Sequence, residues 1–483
     1  MVSTSQLKRR TKRIIKTLER ETQKGFDRMT DRRITLGVTG LSGSGKSTFV
    51  TSLIHQLQHY PNAKLPAFAP FVQGRFMGAK LRPVPGMPFL DIAQAQQNLS
   101  AAPPQWPIST RGLSACELEL RFKPRSTLLS KLGRHYERLV IELHDYPGEW
   151  LLDLPLLDMN FIQWSCDMNS WLTLAERKVL LQSEVMDQNG QSQTILAWLQ
   201  KIDPLSAVDP VLLNNLNRPF CAFLKACRQR HMTIVQPGQY IWQEQIEADS
   251  FFIPLLSMKS IPADQSLLEG SWLECMAQRY EAYKTHQVRP FYQDHFSRLD
   301  RQIILMDLLQ PLSGGEPALE EAQVGLSRVL ESFEYGTNSL IHRLFRPKID
   351  RLLICASKID QVLPHQHENI RHLLSVVVRQ AYQRARFERA DVQLEAVSAI
   401  RSGELVKHNQ TLLLKGVVLS GQEGVLSHPD IPNEWPNNEQ WDVLRQWQVM
   451  SLRPPEHLNL TKGGELPHIR MDSVINMIIG DKC

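Results

Sequence analysis

Ile34-Thr35-Leu36-Gly37-Val38-Thr39-Gly40-Leu41-Ser42-Gly43-Ser44-Gly45-Lys46-Ser47-Thr48 opens as a short apolar run, turns glycine-rich, and leads into an apolar-periodic stretch from Ser47 to Leu57. That order predicts strand, loop and helix. Gly40 to Ser47 satisfies G-x-x-x-x-G-K-[ST] in full. The glycines permit backbone angles that aim successive N–H groups at phosphate oxygens, and the helix that follows adds its positive end. Ser42, Gly43, Ser44, Gly45, Lys46, Ser47 and Thr48 are therefore the candidate phosphate contacts. Lys46 is expected between the terminal phosphates of a nucleotide, and the Ser47 hydroxyl on a Mg²⁺ that bridges them.

A metal-bound triphosphate needs a second acidic element at the end of a buried strand. Leu139-Val140-Ile141-Glu142-Leu143-His144-Asp145 offers one, and Tyr146-Pro147-Gly148 completes D-x-x-G. Asp145 is placed on the metal through a water. The Gly148 N–H is placed on the terminal phosphate, which makes the following segment sensitive to its loss. Arg351 to Ala356 is a further buried strand and ends in Ser357-Lys358-Ile359-Asp360. An Asp carboxylate only accepts hydrogen bonds, so it suits the N1–H and N2–H₂ donors of guanine and opposes the acceptor N1 of adenine. The Lys358 stem can cover the base face, while backbone N–H groups at Ser398, Ala399 and Ile400 can reach the guanine O6. Thr110 is the candidate for a second Mg²⁺ hydroxyl, with an ordinary loop threonine as the alternative. Arg111 and Arg75 are the candidate cations for charge on a transferring phosphoryl group.

Working outward, residues 1–33 hold eleven Lys or Arg and four acids, while the remaining 450 residues hold 44 basic and 46 acidic side chains. The basic character is thus one N-terminal arm, and no specific nucleic-acid binding is expected. Leu7, Ile14, Leu18, Phe26 and Met29 give that arm a thin helical stripe. Such a helix suits an anionic membrane surface or an acidic partner, or packs its stripe on its own domain. Residues 34–150 read as the first part of a nucleotide-binding core, interrupted at 61–112 by a Pro-, Gly- and Gln-rich stretch expected to be irregular. Glu117 to Phe122 and Arg138 to Leu143 predict an antiparallel hairpin. Residues 151–298 are dominated by helical periodicity, with breaks expected at Pro204, Pro210 and Pro219. They read as an inserted helical subdomain. Strand texture returns in 299–402, spaced by helices, which predicts a mostly parallel sheet with both faces covered. Residues 403–483 form a C-terminal extension with one β-rich run, Thr411 to Leu419.

The 483 residues leave room for two to four domains, and 42% hydrophobic with 22% charged content is that of an ordinary soluble protein. Seven scattered cysteines without a C-x-x-C pair argue for reduced thiols in a cytoplasmic protein. The arm carries charge where a signal peptide needs an apolar stretch, and no segment approaches the roughly 18 apolar residues of a bilayer span.

The ordered set Gly40 to Ser47, Asp145 to Gly148, Ser357 to Asp360 and Ser398-Ala399 resembles the Ras-like GTPases. The chain as a whole, with Asp145-Tyr146-Pro147-Gly148-Glu149-Trp150, the long helical stretch and Arg301-Gln302-Ile303-Ile304-Leu305-Met306-Asp307, is similar to the YcjX-like family of bacterial stress-linked nucleotide-binding proteins. The resemblance implies an α/β Ras-like P-loop NTPase fold with a mostly parallel sheet flanked by helices, a large helical insert and a small C-terminal extension. It further implies a stress-associated GTP/GDP switch with slow Mg²⁺-dependent hydrolysis, a protein effector of unknown identity, and a place in the cytoplasm or at the inner face of the membrane through residues 1–33.

Three departures stand out. Ser357 replaces the Asn commonest in the base-reading motif, and Ile400 stands where Lys is usual. Glu149 occupies the place of a water-orienting Gln, and a carboxylate there is repelled by the terminal phosphate, which argues against fast unaided hydrolysis. A small-molecule kinase and a non-hydrolysing nucleotide-binding scaffold are the rival readings. Leu312-Ser313-Gly314-Gly315 is like a transporter-ATPase signature but lies in the wrong order relative to an acidic strand, and reads as a turn before a helix.

Overall fold

A computed structural model of the chain describes residues 32–41, 43–125, 136–186, 190–257, 268–331, 349–379, 382–383, 391–408 and 411–483. The basic arm up to residue 31, with its expected helix, and Ser42 lie outside the described residues. In chain order the strands are β1 (Arg32–Gly40), β2 (Phe76–Pro83), β3 (Ser114–Phe122), β4 (Glu137–Asp145), the short pair β5 (Glu184–Met186) and β6 (Ser192–Thr194), β7 (Arg301–Met306), β8 (Arg351–Ala356), β9 (Asp391–Ala396), and β10 (Glu404–His408), β11 (Thr411–Val417) and β12 (Glu423–Leu426). The helices used below are α1 (Lys46–Gln58), α2 (Ile92–Leu99), α3 (Phe161–Leu172), α4 (Pro210–Gln229), α5 (Trp272–Tyr283), α6 (Glu316–Glu331), α7 (His367–Val377) and α8 (Met471–Ile479). Arg32 and Arg33 open β1, so the last two residues assigned to the basic helix belong to the sheet.

Seven strands form one sheet in the order β2-β3-β4-β1-β7-β8-β9. β4, β1, β7, β8 and β9 are parallel neighbours, whereas β3 pairs antiparallel with both β2 and β4. This is the mostly parallel α/β sheet expected, with the expected antiparallel hairpin formed by β3 and β4. Its strands are covered on both faces, and the period of two shows which residue goes where. Ile303, Leu305, Leu353 and Cys355 join α1 and α8 in one apolar cluster, while Ile304, Met306, Leu352 and Ile354 join α6, α7 and the helices from α3 to α5 in the other.

Three expectations need correction. Residues 61–112 hold β2 and α2 as well as loop. β2 is legible only weakly because it is an edge strand with a register shift between Phe76 and Gly78, the latter at φ 121°. Pro219 does not break α4. It lies inside a helix of 20 residues whose face of Leu216, Phe220, Phe223, Leu224 and Cys227 is buried, so packing outweighs the missing hydrogen bond. Pro210 starts that helix, with Asp209 accepting from the N–H groups of Val211 and Leu212. Last, β5 and β6 form a small hairpin within the stretch read as wholly helical.

The helical stretch is bolted to the sheet-side helices by one buried ion pair. Arg177 donates to both carboxylate oxygens of Glu321 on α6, at 2.8 and 2.7 Å, and to the carbonyl of Ile234 at 2.7 Å. Glu321 in turn accepts from the Ile234 N–H at 2.7 Å. Removing one partner leaves the other charge buried, so Arg177→Met is expected to cost about 3–5 kcal/mol. The double change Arg177→Met with Glu321→Leu should recover a large part of that loss in urea unfolding. A double variant no more stable than the single would show that the stranded charge is not the cause.

Candidate functional site

β1, the central strand, ends at Gly40, and the Leu41 N–H donates to the Leu305 carbonyl on β7 at 3.0 Å. The chain then turns through Gly43 and Gly45, at φ 74° and 76°, where a side chain would be strained. Ser44 donates its N–H back to Leu41 at 3.1 Å, and its hydroxyl fills the space a Cβ on Gly40 would need. α1 starts at Lys46, so its unpaired N–H groups and positive end border the same space. Gly148, at the end of D-x-x-G, lies so close to this loop that a Cβ there would come within 1.8 Å of the Gly40 carbonyl oxygen.

At one end of the loop, oxygen and ammonium groups converge. β4 delivers Asp145 opposite Val38 of β1. Its Oδ1 pairs with Lys46 Nζ, and its Oδ2 accepts from the Thr110 hydroxyl at 2.6 Å. Thr110 Oγ1 is 3.3 Å from Ser47 Oγ. Thr110 thus stands beside Ser47 and Asp145 although it comes from a Pro-rich loop. Burial pushes the Lys46 ammonium down from its ordinary value, against the upward pull of Asp145 and Glu149, and nearby Arg228 adds to the downward push. Two hydroxyls and a carboxylate form an oxygen donor set that suits a hard cation such as Mg²⁺.

The other end is built by the turns after β8 and β9. Lys358 adopts a left-handed φ of 62° and its Nζ pairs with Asp307 at 2.9 Å, fixing the stem along the cavity wall. Asp360 is 6% exposed. Its Oδ1 accepts from the Ser398 hydroxyl at 2.6 Å and its Oδ2 from the Ser402 N–H at 2.8 Å. Burial raises its pKa, and those hydrogen bonds together with one from the Gly403 backbone oppose the rise. Ser357 Oγ is buried and makes no hydrogen bond among the described residues, in the position where an amide would be expected to tie loops together. The Ser398 N–H donates to the Ile469 carbonyl at 3.0 Å and is therefore spent. Of the three backbone donors expected for a base oxygen, those of Ala399 and Ile400 are left.

Gly43 to Thr48, Thr110, Gly148, Glu149, Lys358, Asp360 and Ser398 to Ile400 line one cavity of about 300 Å³. Asp145 borders an adjoining cavity that shares Ser47 and Thr110. Arg75 is elsewhere, bonded to the Lys123 carbonyl and to Glu137, and Arg111 borders only the adjoining cavity. Sequence reasoning missed other wall residues. Trp106, Leu419, Ser451 and Leu452 close the cavity on one side, with Trp106 Nε1 donating to the Leu452 carbonyl at 2.7 Å. Asp307, the residue after β7, does not line this cavity but holds Lys358 beside it. Arg228 comes from α4, far away in sequence, and its Nε donates to Glu149 Oε1 at 2.5 Å.

Behind Glu149, Asp153 is buried and accepts from the Tyr283 hydroxyl at 2.5 Å and the Gly238 N–H at 2.9 Å. Burial is the main cause that raises its pKa to about 7, with the Glu149 charge adding to it. The folded state therefore holds a proton that the unfolded chain releases near pH 4, and this contribution to stability is lost as pH rises from about 4 to 7. Relative to wild type, Asp153→Asn should gain stability as the pH goes from 5 to 7 and hold a constant offset above that. An offset that is the same at pH 5 and pH 8 in thermal unfolding would remove the assignment.

Residues 34–483, which hold every element placed above after the opening of β1, match the YcjX-like family, DUF463. The Ras-like GTPase YcjX of Escherichia coli (strain K12) is 32% identical over 488 residues, spanning 97% of this chain and 100% of that protein. The Ras-like GTPase YcjX of Shewanella oneidensis is 30% identical over 491 residues, spanning 96% of this chain and 98% of that protein. A glycine loop between β1 and α1, the D-x-x-G segment folded against it and similarity along nearly the whole length lead to one conclusion: the chain belongs to the YcjX-like family.

Proposed function

We propose that this chain is a GTP-binding protein with slow Mg²⁺-dependent GTPase activity that works as a nucleotide-controlled switch. The observation that carries the reading is a single cavity with the phosphate loop at one end and the Asp360 carboxylate at the other. Phosphates would take the backbone N–H groups of Gly43 and of Gly45 to Thr48, and the Lys46 ammonium; the Ser44 N–H is held by Leu41. Ser47 and Thr110 would hold Mg²⁺ through their hydroxyls, and Asp145 through a water. The cation neutralises charge on the terminal phosphates and orients them. Asp360 already accepts from Ser398, Ser402 and the Gly403 backbone, so the two donors of guanine would take the place of one or more of those bonds.

Slow turnover follows from Glu149, which sits 4% exposed next to Gly148. A buried carboxylate opposes the approach of a terminal phosphate. Switching follows from the way the two phosphate-sensing segments are anchored. Gly148 rests on the Gly40 carbonyl, and the loop with Thr110 is tied through Trp106 to Leu452. A γ-phosphate with its Mg²⁺ would pull Thr110 and Gly148 inward, and hydrolysis would release them. The family resemblance adds the stress-linked setting. The names of the two relatives support the GTPase reading.

Calorimetry with Mg²⁺ present should show GTP and GDP binding at least tenfold tighter than ATP and ADP. Lys46→Ala should abolish binding while the fold is kept, as read by an unchanged far-UV circular dichroism spectrum. Asp360→Asn should shift preference from guanine toward xanthine nucleotides by about 10- to 100-fold, because an amide can donate to the C2 carbonyl that xanthine carries. Tighter binding of ATP would instead favour a small-molecule kinase. Its acceptor would then lie in the adjoining cavity of about 470 Å³, which meets the metal end at Ser47, Thr110 and Asp145.

A further inference from the structure

The end of α4 is packed onto the phosphate loop, though no sequence motif marks it. Arg228, in the last turn of that helix, borders the main cavity. Its guanidinium carbon lies 4.6 Å from the centre of the Trp242 ring, and its Nε is bonded to Glu149. Three residues on, His231 adopts a left-handed φ of 61° and sets its ring against the loop, where a Cβ on Gly43 would lie 2.5 Å from His231 Nδ1. An aromatic face and a carboxylate therefore fix a guanidinium beside the glycines expected to hold phosphate. The carboxylate belongs to the residue that follows Gly148, so the Arg228 clamp and the phosphate-sensing segment are one unit.

A terminal phosphate arriving at Lys46 changes this balance. It repels the Glu149 carboxylate across a short, poorly solvated distance, and it offers the guanidinium a bidentate oxygen partner. We propose that Arg228 is the catalytic arginine for GTP hydrolysis, supplied from within the chain, and that Glu149 is the latch that holds it until nucleotide displaces the carboxylate. This inference rests on the GTPase reading above. In the reaction a water oxygen bonds to the γ-phosphorus as the bond to the β–γ bridging oxygen breaks. The electron pair of that bond stays on GDP, and the protons of the water end on inorganic phosphate and in solvent. Negative charge grows on the bridging oxygen, and Arg228 stabilises it there.

Single-turnover hydrolysis with the full chain tests the assignment. Arg228→Ala should slow hydrolysis about 1,000-fold, in the range known for such arginines, while GTP affinity changes less than fivefold. Arg228→Lys should recover under a tenth of the rate, since an ammonium lacks the planar fork. GDP with aluminium fluoride, a mimic of the transferring phosphoryl group, should bind tightly to wild type and not to Arg228→Ala, although GDP alone binds both. A purely structural role would not separate those two ligands. Glu149→Gln should raise the rate severalfold, and the gain should vanish when combined with Arg228→Ala. Equal rates for wild type and a folded Arg228→Ala or Arg228→Lys would overturn the arginine, and slower hydrolysis in Glu149→Gln would overturn the latch. A wild-type protein that binds no GTP would overturn the GTPase reading first, and this inference with it.

Discussion

Two carboxylates from one short segment hold two cations at the mouth of the glycine loop: Asp145 holds Lys46, and Glu149 holds Arg228. The rest of the site depends on this balance. Four charged groups are drawn into a cavity where little water screens them, and each cation has an anion of its own. On the proposed reading a nucleotide would bring several negative charges and a divalent cation into the same space and compete with both internal pairs. Under that reading Asp145 would gain a partner in the metal, whereas Glu149 would gain none. That asymmetry marks the segment after Gly148 as the part that the proposed reading expects to move.

The fold supplies this arrangement from distant parts of the chain. Asp145 reaches the loop because β4 and β1 are parallel neighbours, and Asp360 because β8 and β9 end on the same side of the sheet as β1. In an open parallel sheet the strand ends that point one way define where a ligand can sit. Arg301 secures the opposite end. It is buried at the start of β7 and bonded to both oxygens of Asp481 at 2.6 Å, which ties the end of the chain beneath the central strands. The loop between β1 and α1 is thus carried by strands held at both ends.

How much of this was legible in the sequence depended on whether a residue's role was local. The glycine loop, D-x-x-G and Ser357 to Asp360 each follow a strand whose apolar pattern is strong, so the motif and its context could be read together. Thr110 was reachable because it shortly precedes β3. Arg228 was not, because in sequence it is one more basic residue at the C-terminal end of an amphipathic helix, and only the packing of α4 on Gly43 gives it a place. Trp106 likewise reads as a loop aromatic between prolines until its partner Leu452 is known. The strand β2 was hidden by a bulge and by its place at the edge, and Pro219 misled because local propensity yields to a well-packed apolar face.

The C-terminal extension is part of the frame of the site. α1 begins at the phosphate loop, and its buried face is bonded to that extension: His55 Nε2 to the Gly464 carbonyl at 2.8 Å and Gln56 Nε2 to the Leu466 carbonyl at 2.7 Å. Burial keeps His55 neutral, with its pKa lowered to about 4, so one ring nitrogen donates to Gly464 while the other accepts from Gln96 on α2. Ser52, one turn closer to the loop, donates to the Ala399 carbonyl at 2.7 Å and so connects α1 to the base end. α1 is therefore fastened to the C-terminal extension and to the turn after β9, and the loop with Thr110 is fastened to the same extension through Leu452. Trp106, in the loop that carries Thr110, is bonded to Leu452, which lines the same cavity. Leu452 in turn connects to the C-terminal sheet of β10, β11 and β12 through its bridge with Val418, so the loop with Thr110 and that sheet share one line of contacts.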